Sequence, residues 1–469
     1  MIDKVFEYIR ENKDILINEL CGLIRIPSEK GERTESCPFG EEVDRAYSYM
    51  LGLAEKDGFS VFDADRYGGH IDFRGRGGEV MGIAGHLDVV PAGNGWDHDP
   101  YGAEIDDGRI FGRGTTDDKG PVMASYFAMR ALKECGFEPE KTVRLILGLD
   151  EETDWYGMDY YLSMTERPDF GFTPDGNFPA IQGEKGIMVF DIAQKFGRGP
   201  GDGLRLRQVK GGNAANMVPD HAKALVLGSR EDYEKIKERA ALFRKEKGYD
   251  IAVRQAGKSL EIKAAGKSAH GANPDAGLNA VSVLMAFLGT IVFANDDVNS
   301  FVEFYNNHIG FETDGTGMGC GFEDAPSGKL VFNAGVVEIS EKAAALTCNV
   351  RYPVTLKAED VYEGMSPLLA EHNMGVIKKS HQYPIYLTSD DTLLKTLVRV
   401  YRERTGDMES VPLVIGGGTY SRAFDNMIAY GAEFPGDEEL MHQKNEYIET
   451  ERLVKLAEIY AQAIYELAK

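Results

Sequence analysis

Apolar positions recur at helical spacing at the start of the chain, where Val5, Phe6, Ile9, Leu16 and Leu20 share one side of residues 2–24 and Pro27 closes the run. This spacing predicts one amphipathic helix, and a second follows over about 40–57, ended by Gly58. Short apolar runs then predict strands near 59–64, 70–74 and 79–84, with a hairpin over 102–112 turning at Asp107-Gly108. A helix over 119–135, with Val122, Met123, Tyr126, Met129 and Leu132 at its apolar positions, leads into a strand over 141–149. A helix near 155–163 and a strand around 170–173 complete an alternation that predicts an α/β domain, a mixed sheet flanked by helices.

The pattern changes near residue 183. Strand-like runs (251–264, 331–352) now alternate with helix-like ones (231–247, 276–294, 358–371), as in an α+β domain inserted into the first. After about 383 the chain returns with a helix near 390–404, a strand into Gly416-Gly417-Gly418, a strand near 428–433 and a closing helix over 448–467. Two domains are therefore expected, 1–183 with 383–469, and 184–382. A length of 469 residues also exceeds what one core usually supports.

Charge and composition remove several function classes. A formal charge of −24 disfavours nucleic acid and anionic membranes as partners. Five cysteines without a C-x-x-C pair suggest reduced thiols, and the first twenty residues carry charges throughout with no export signal, so a cytoplasmic location is expected. Ala276–Asn295 is uncharged, but it contains Asn279, Ser282, Gly289 and Thr290 and lacks basic flanks, which fits a buried helix better than a membrane span.

Chemistry-bearing residues gather at strand ends and turns. The strand 79–84 is followed by His86-Leu87-Asp88, the turn Gly112-Arg113-Gly114 by Asp117-Asp118, the strand 141–149 by Asp150-Glu151-Glu152, and the strand 170–173 by Pro174-Asp175-Gly176; His442 comes late. Open α/β sheets place ligands at the carboxyl ends of their strands. His86, Asp117, Glu152, Asp175 and His442 are imidazole and carboxylate donors with no thiolate among them, a set suited to a two-metal hydrolytic site. If Asp117 bridges, each ion receives one imidazole and one terminal carboxylate. Three carboxylates against two divalent cations leave one positive charge, which a bound hydroxide would cancel. Gly266-Lys267-Ser268 ends like a phosphate-binding loop, but Glu261 stands where the first glycine belongs, and no G-x-S-x-G or H-E-x-x-H is present.

The succession His86-Leu87-Asp88, Gly112–Gly120, Asp150–Glu152, Pro174–Gly176, Ser268–Gly271 and His442 resembles the co-catalytic di-metal peptidases and deacylases that include aminoacylase, glutamate carboxypeptidase and carnosinase. GRGTTDDKGP, GANPDAGLNA, GGGTYSRAF and HQKNEYI are similar to the peptidase V branch of dipeptidases; Asp-Trp after Glu152-Thr153 departs from it. The resemblance implies a catalytic domain with an inserted lid. His86 and Asp175 would hold one metal, Glu152 and His442 the other, and Asp117 both, with zinc the first choice and manganese or cobalt also admitted. Glu151 would be the general base, Asp88 would orient His86, and a cis peptide would join Asp117 to Asp118. His270 on the lid would stabilise the oxyanion. Arg351, Gly417, Gly418 and Thr419, with Asn216, would hold the substrate's terminal carboxylate. The implied activity is hydrolysis of small unblocked dipeptides, with N-acyl amino acid deacylation or desuccinylation as the alternative. Related lids commonly pair two subunits; here residues 184–382 exceed a single domain of roughly 100 residues, so the surplus is expected to stand in for a partner's lid in a monomer.

Overall fold

The computed structural model describes residues 1–469 apart from 198 and 200. The chain divides into two compact units, one formed by Met1–Gly183, Leu387–Val414 and Gly418–Lys469, the other by Glu184–Tyr386 with Ile415–Gly417.

The first unit is built on a mixed sheet. Its strands lie in the order Ser60–Asp63, Gly69–Phe73, Thr142–Gly148, Val80–His86, Phe170–Thr173 and Met427–Ala429, followed by the strand that begins at Ile181. Val80–His86 runs parallel to both of its neighbours, and Met427–Ala429 runs parallel to Phe170–Thr173. The parallel centre is buried on both faces, as its near-continuous apolar residues require: Met81, Ile83, Ala84, Leu145, Ile146 and Leu147 are all inaccessible to solvent. Helix Lys119–Glu134 is buried from Lys119 through Leu132 and packs against the closing helix Thr450–Ala468. Each fully buried Phe127- or Leu132-sized side chain contributes about 1.5–3 kcal/mol.

The second unit carries an eight-stranded sheet whose pairings are all antiparallel, in the order Ile251–Ala256, Ser259–Ala265, His221–Leu227, Arg205–Gly211, Val331–Ser340, Ala343–Tyr352, Gly186–Lys195 and Gly375–Gln382. Alternate residues of Gly186–Lys195, such as Met188, Phe190 and Ile192, enter a core shared with the helices of this unit. Helix Arg230–Lys247 begins at a capping box between Ser229 and Asp232 and ends at Gly248.

Several boundaries differ from the pattern-based expectation for local reasons. The helix expected over 2–24 is two helices, Ile2–Glu11 and Lys13–Ile24, broken at Asn12, whose side-chain amide donates to the Tyr8 carbonyl at 2.8 Å. The apolar run 276–294 yields only the helix Ala280–Leu288, because the Asn279 side chain accepts from Val281 N and Ser282 N and starts the helix late. A separate helix, Asp296–His308, starts at an Asn295 cap. No described helix is long and apolar enough to cross a membrane. The runs 251–264 and 331–352 are each a hairpin. The expected strand 428–433 is only Met427–Ala429, the chain turning at Gly431 with φ +79°.

Candidate metal centre

Three parallel strands of the first unit deliver their acidic or imidazole groups at the same sheet edge. Val80–His86 ends on His86 itself, Thr142–Gly148 runs into Asp150-Glu151-Glu152, and Phe170–Thr173 runs into Asp175. Asp117 arrives from the turn before helix Lys119–Glu134, and its peptide bond to Asp118 is cis. The turn sits tight against the sheet: a Cβ on Gly85 would come within 2.5 Å of Asp118 Oδ2, the oxygen that accepts from His86 N at 3.1 Å.

Two imidazoles meet one carboxylate at the centre. His86 Nε2 lies 3.0 Å from Asp117 Oδ1, and His442 Nε2 lies 2.9 Å from Asp117 Oδ2. His442 Nε2 is also 2.9 Å from Glu152 Oε1, and Asp175 Oδ2 is 3.9 Å from His86 Nε2. One donor atom from each of His86, Asp117 and Glu152 falls within 4.8 Å of the others. All five sequence-derived donors are thus brought together.

The electrostatics show what this cluster lacks. Burial alone would pull the His86 imidazole down, but Asp117 and Asp88 more than reverse that and raise it well above the usual range. Hydrogen bonding to Asp117 and Glu152 raises His442 to about 10. Burial works to raise Asp117, yet the two imidazoles hold it well below the usual carboxylate range. The carboxylates thus draw protons onto the histidines to obtain positive charge. Divalent cations would supply that charge and leave neutral imidazoles free to ligate, so the donor set fits a pair of such ions.

Around the donors, backbone contacts fix the geometry. His86 Nδ1 lies 2.9 Å from the Asp88 carbonyl and 3.5 Å from its carboxylate. The Asp88 carboxylate in turn accepts from Glu151 N and Glu152 N, both at 3.1 Å, so it caps the acidic turn while lying against the ring. The Trp155 indole donates to the Glu151 carbonyl at 2.7 Å, holding the same turn from the other side. Burial drives the Glu151 carboxyl well above its usual range, with His86 pulling the other way.

The remaining candidates fall mostly in the second unit. There Asn216 and His270 lie on adjacent segments: Gly271 N donates to the Asn216 carbonyl at 2.7 Å, and Met217 bridges to His270. Asn333, which no motif flagged, pins this loop by donating to the carbonyls of Ala215 (2.8 Å) and Met217 (3.0 Å), on either side of Asn216. Arg351 is buried on strand Ala343–Tyr352 and donates to Asn349 Oδ1 at 2.9 Å and to the carbonyl of Gly416, next to Gly417, at 2.8 Å. Gly418 and Thr419 belong to the first unit, where the Thr419 hydroxyl caps the short turn Tyr420–Ala423.

The sequence profile of the peptidase family M20/M25/M40 matches residues 82–466, a span that contains every one of the five donors. The chain belongs to this family. Among relatives of this M20 metallopeptidase, the "Putative dipeptidase" of Staphylococcus epidermidis is 38% identical over 470 residues, covering 99% of this chain and 98% of the relative. A protein of the same description from Staphylococcus haemolyticus is 36% identical over 466 residues, covering 98% of each. Among solved structures, human carnosine dipeptidase 1 shares the fold with a TM-score of 0.55 and 16% identity over 100% of both chains. Dug1p, a di-peptidase of Saccharomyces cerevisiae, does so with 0.56 and 12% over 99% of both. The M20 fold, with its mixed catalytic sheet and separate antiparallel domain, agrees with the fold class expected from sequence.

One residue of the M20 centre was missed from sequence. Glu446 is fully buried and accepts from Gly114 N (3.1 Å), Thr116 N (2.8 Å), the Thr116 hydroxyl (2.9 Å) and Arg113 Nη1 (2.6 Å). Its signal was present in the polar run HQKNEYI, but a glutamate four residues after a histidine in a turn-rich segment has no periodicity to mark it as buried.

Proposed function

We propose that this M20 metallopeptidase is a dipeptidase that cleaves small unblocked dipeptides, working as a cytoplasmic monomer. The observation that carries the reading is Asp117, whose two oxygens face two different imidazoles at 3.0 and 2.9 Å, the arrangement of a carboxylate shared between two sites. His86 and Asp175 would hold one divalent ion, Glu152 and His442 the other, and Asp117 both, with zinc first and manganese or cobalt next. When bound, the ions would supply Lewis acidity to the scissile carbonyl and to the attacking water.

The chain's own residues do the rest. Glu151 takes a proton from the attacking water and returns it to the leaving amine, a role suited to a carboxyl whose proton affinity burial has raised. Asp88 keeps Glu151 in place through its hold on the acidic turn. In this reading residues 1–183 with 383–469 form the catalytic domain and 184–382 the lid. From the lid, His270 stabilises the oxyanion. Arg351, Gly417 and Asn216, with Gly418 and Thr419, hold the terminal carboxylate, for which a guanidinium and backbone N–H groups are suited. The names of the staphylococcal relatives support the dipeptide substrate.

The test is a panel of free dipeptides against N-acetyl and N-succinyl amino acids, on wild type and on Glu151→Gln. Dipeptides are expected to be the better substrates, with Glu151→Gln keeping its metal and losing about two to four orders of magnitude in turnover. A preference for acylated amino acids would overturn the substrate, and near-wild-type turnover in Glu151→Gln would overturn the base.

A further inference from the structure

Within the first unit, two ligand-bearing segments have no regular secondary structure to hold them. Asp117 sits in the turn after the strand Arg109–Phe111, and His442 lies in the irregular stretch before the strand Tyr447–Glu449, with a positive φ of 61°. These two strands pair antiparallel, Phe111 opposite Tyr447, and Gly112 N extends the pairing by donating to the Glu446 carbonyl at 2.9 Å. Beyond that point the backbones diverge into the two turns, and side chains take over.

The Glu446 side chain reaches across to the first turn. Its carboxylate gathers the backbone N–H groups of Gly114 and Thr116 and the Thr116 hydroxyl, fixing the residue directly before Asp117. Arg113, buried like Glu446, reaches back the other way: its Nη1 contacts Glu446 Oε2 at 2.6 Å and donates to the Gln443 carbonyl at 3.2 Å, directly after His442. The ion pair therefore holds a handle next to each ligand. Taking both charges out of water carries a desolvation cost that a pair of this kind seldom recovers as stability alone. A packing role would be met as well by apolar side chains. What an ion pair adds here is fixed direction, through one carboxylate with several donors.

We propose that Glu446, with Arg113, is a positioning residue that sets the separation of Asp117 and His442 and so tunes the affinity of the ion shared by Asp117, His442 and Glu152. This rests on the two-metal reading of the centre. His86 and Asp175, delivered by strands of the parallel sheet, depend on the sheet instead, so the ion between them is less exposed to loss of the clamp.

Zinc binding to the full-length protein, measured by competition with a chromophoric chelator together with melting of the metal-free form, tests this. Glu446→Gln keeps the shape but places an amide N–H₂ where either Arg113 or the turn's N–H donors must be met. The expected result is two zinc ions in wild type and, in Glu446→Gln, one of them weakened by about 10–100-fold, the range for groups that orient metal ligands. Turnover lost at limiting zinc returns as zinc is raised, which loss of a proton-transfer group would not allow. Asp72→Asn is the control: it breaks a partly buried pair with Arg144 in the same unit, and should lower the melting temperature while leaving both zinc affinities within about twofold. Should Glu446→Gln fail to fold, Arg113→Lys keeps the charge and loses the fork that reaches Gln443, and the same weakening is expected. A folded variant that binds both ions within about twofold of wild type overturns the clamp. A wild type that binds no pair of ions overturns the two-metal reading beneath it.

Discussion

His86 and His442 present the same atom to the same carboxylate, yet they are held in opposite ways. His86 ends a parallel strand, its side chain is 1% exposed, and it is fixed by the ladder, by Asp88 and by Asp118 through its own N–H. His442 sits on a turn, its side chain is 51% exposed, and its Nε2 lies 2.9 Å from each of the two carboxylates it faces, Asp117 and Glu152. The first imidazole is placed by the fold and waits for a ligand. The second depends on what it binds and on the segment behind it. Under the proposed two-metal reading, the centre has one rigid wall and one adjustable wall.

The largest effect should come where the two walls meet. Asp117→Ala removes the carboxylate both imidazoles face, and elemental analysis should show both ions lost or weakened, with turnover down by about three orders of magnitude or more, since the several kcal/mol of charge stabilisation a metal supplies convert at 1.36 kcal/mol per tenfold. His86→Ala and His442→Ala then separate the walls. Each should deplete chiefly one ion, but only His86→Ala should also cost the metal-free protein about 2–4 kcal/mol in urea unfolding, because it empties a closed space and strips partners from buried Asp117 and Asp88. One ion fully retained in Asp117→Ala would remove the shared carboxylate, and equal stability of the two histidine variants would remove the contrast.

The rigid wall was legible in the sequence and the adjustable one only in part. Apolar runs that end in His86, Glu151-Glu152 and Asp175 announce parallel strands and their carboxyl ends together, because burial on both faces writes a continuous signal. His442 entered the donor set only as a late histidine in a turn-rich segment, since a turn residue at positive φ leaves no periodic trace, and Glu446, which follows in the same segment, leaves none either and was missed. In the second unit the alternating strands were visible, but Asn279 and Asn295 each start a helix, and in the first unit Asn12 breaks one, through side-chain hydrogen bonds that hydrophobic spacing does not record. Asn333 belongs to this class: its partners are carbonyls far along the chain, and only the fold brings them near.

Metal removal should sharpen the contrast at intermediate size. Each ion that binds only the folded state at about a hundredfold over its dissociation constant adds about 2.7 kcal/mol, and at about 2–4 °C per kcal/mol for a unit of this size a chelator should lower the melting temperature by roughly 5–10 °C for each ion removed. The local response is expected to be uneven. Amide exchange should quicken over residues 440–446 and stay slow over Val80–His86, whose N–H groups remain in the sheet. Equal loss of protection in both segments would mean that the two walls are one cooperative piece.

The smallest effect comes from the sheet that makes the rigid wall rigid. Asp72 joins Gly69–Phe73 to Thr142–Gly148, the strand that delivers Glu151 and Glu152, through a two-pronged contact with Arg144 at 2.9 and 3.0 Å. Burial would raise the Asp72 carboxyl, but hydrogen bonds from His70 and Arg144 outweigh it and hold it at about 2. Burial lowers the pKa of His70, so its ring is neutral at pH 7 and Arg144 carries the charge. A carboxyl lowered on folding adds stability that is complete above its unfolded value near 4 and is lost as pH falls through its folded value near 2. Allowing for solvent screening, this amounts to about 1–2 kcal/mol. The difference in unfolding free energy between wild type and Asp72→Asn should therefore be present at pH 5–7 and shrink between pH 4 and 2, with zinc affinity at neutral pH unchanged. If the difference stays flat across that range, the stabilisation is packing and not charge, and the rigid wall owes nothing to this pair.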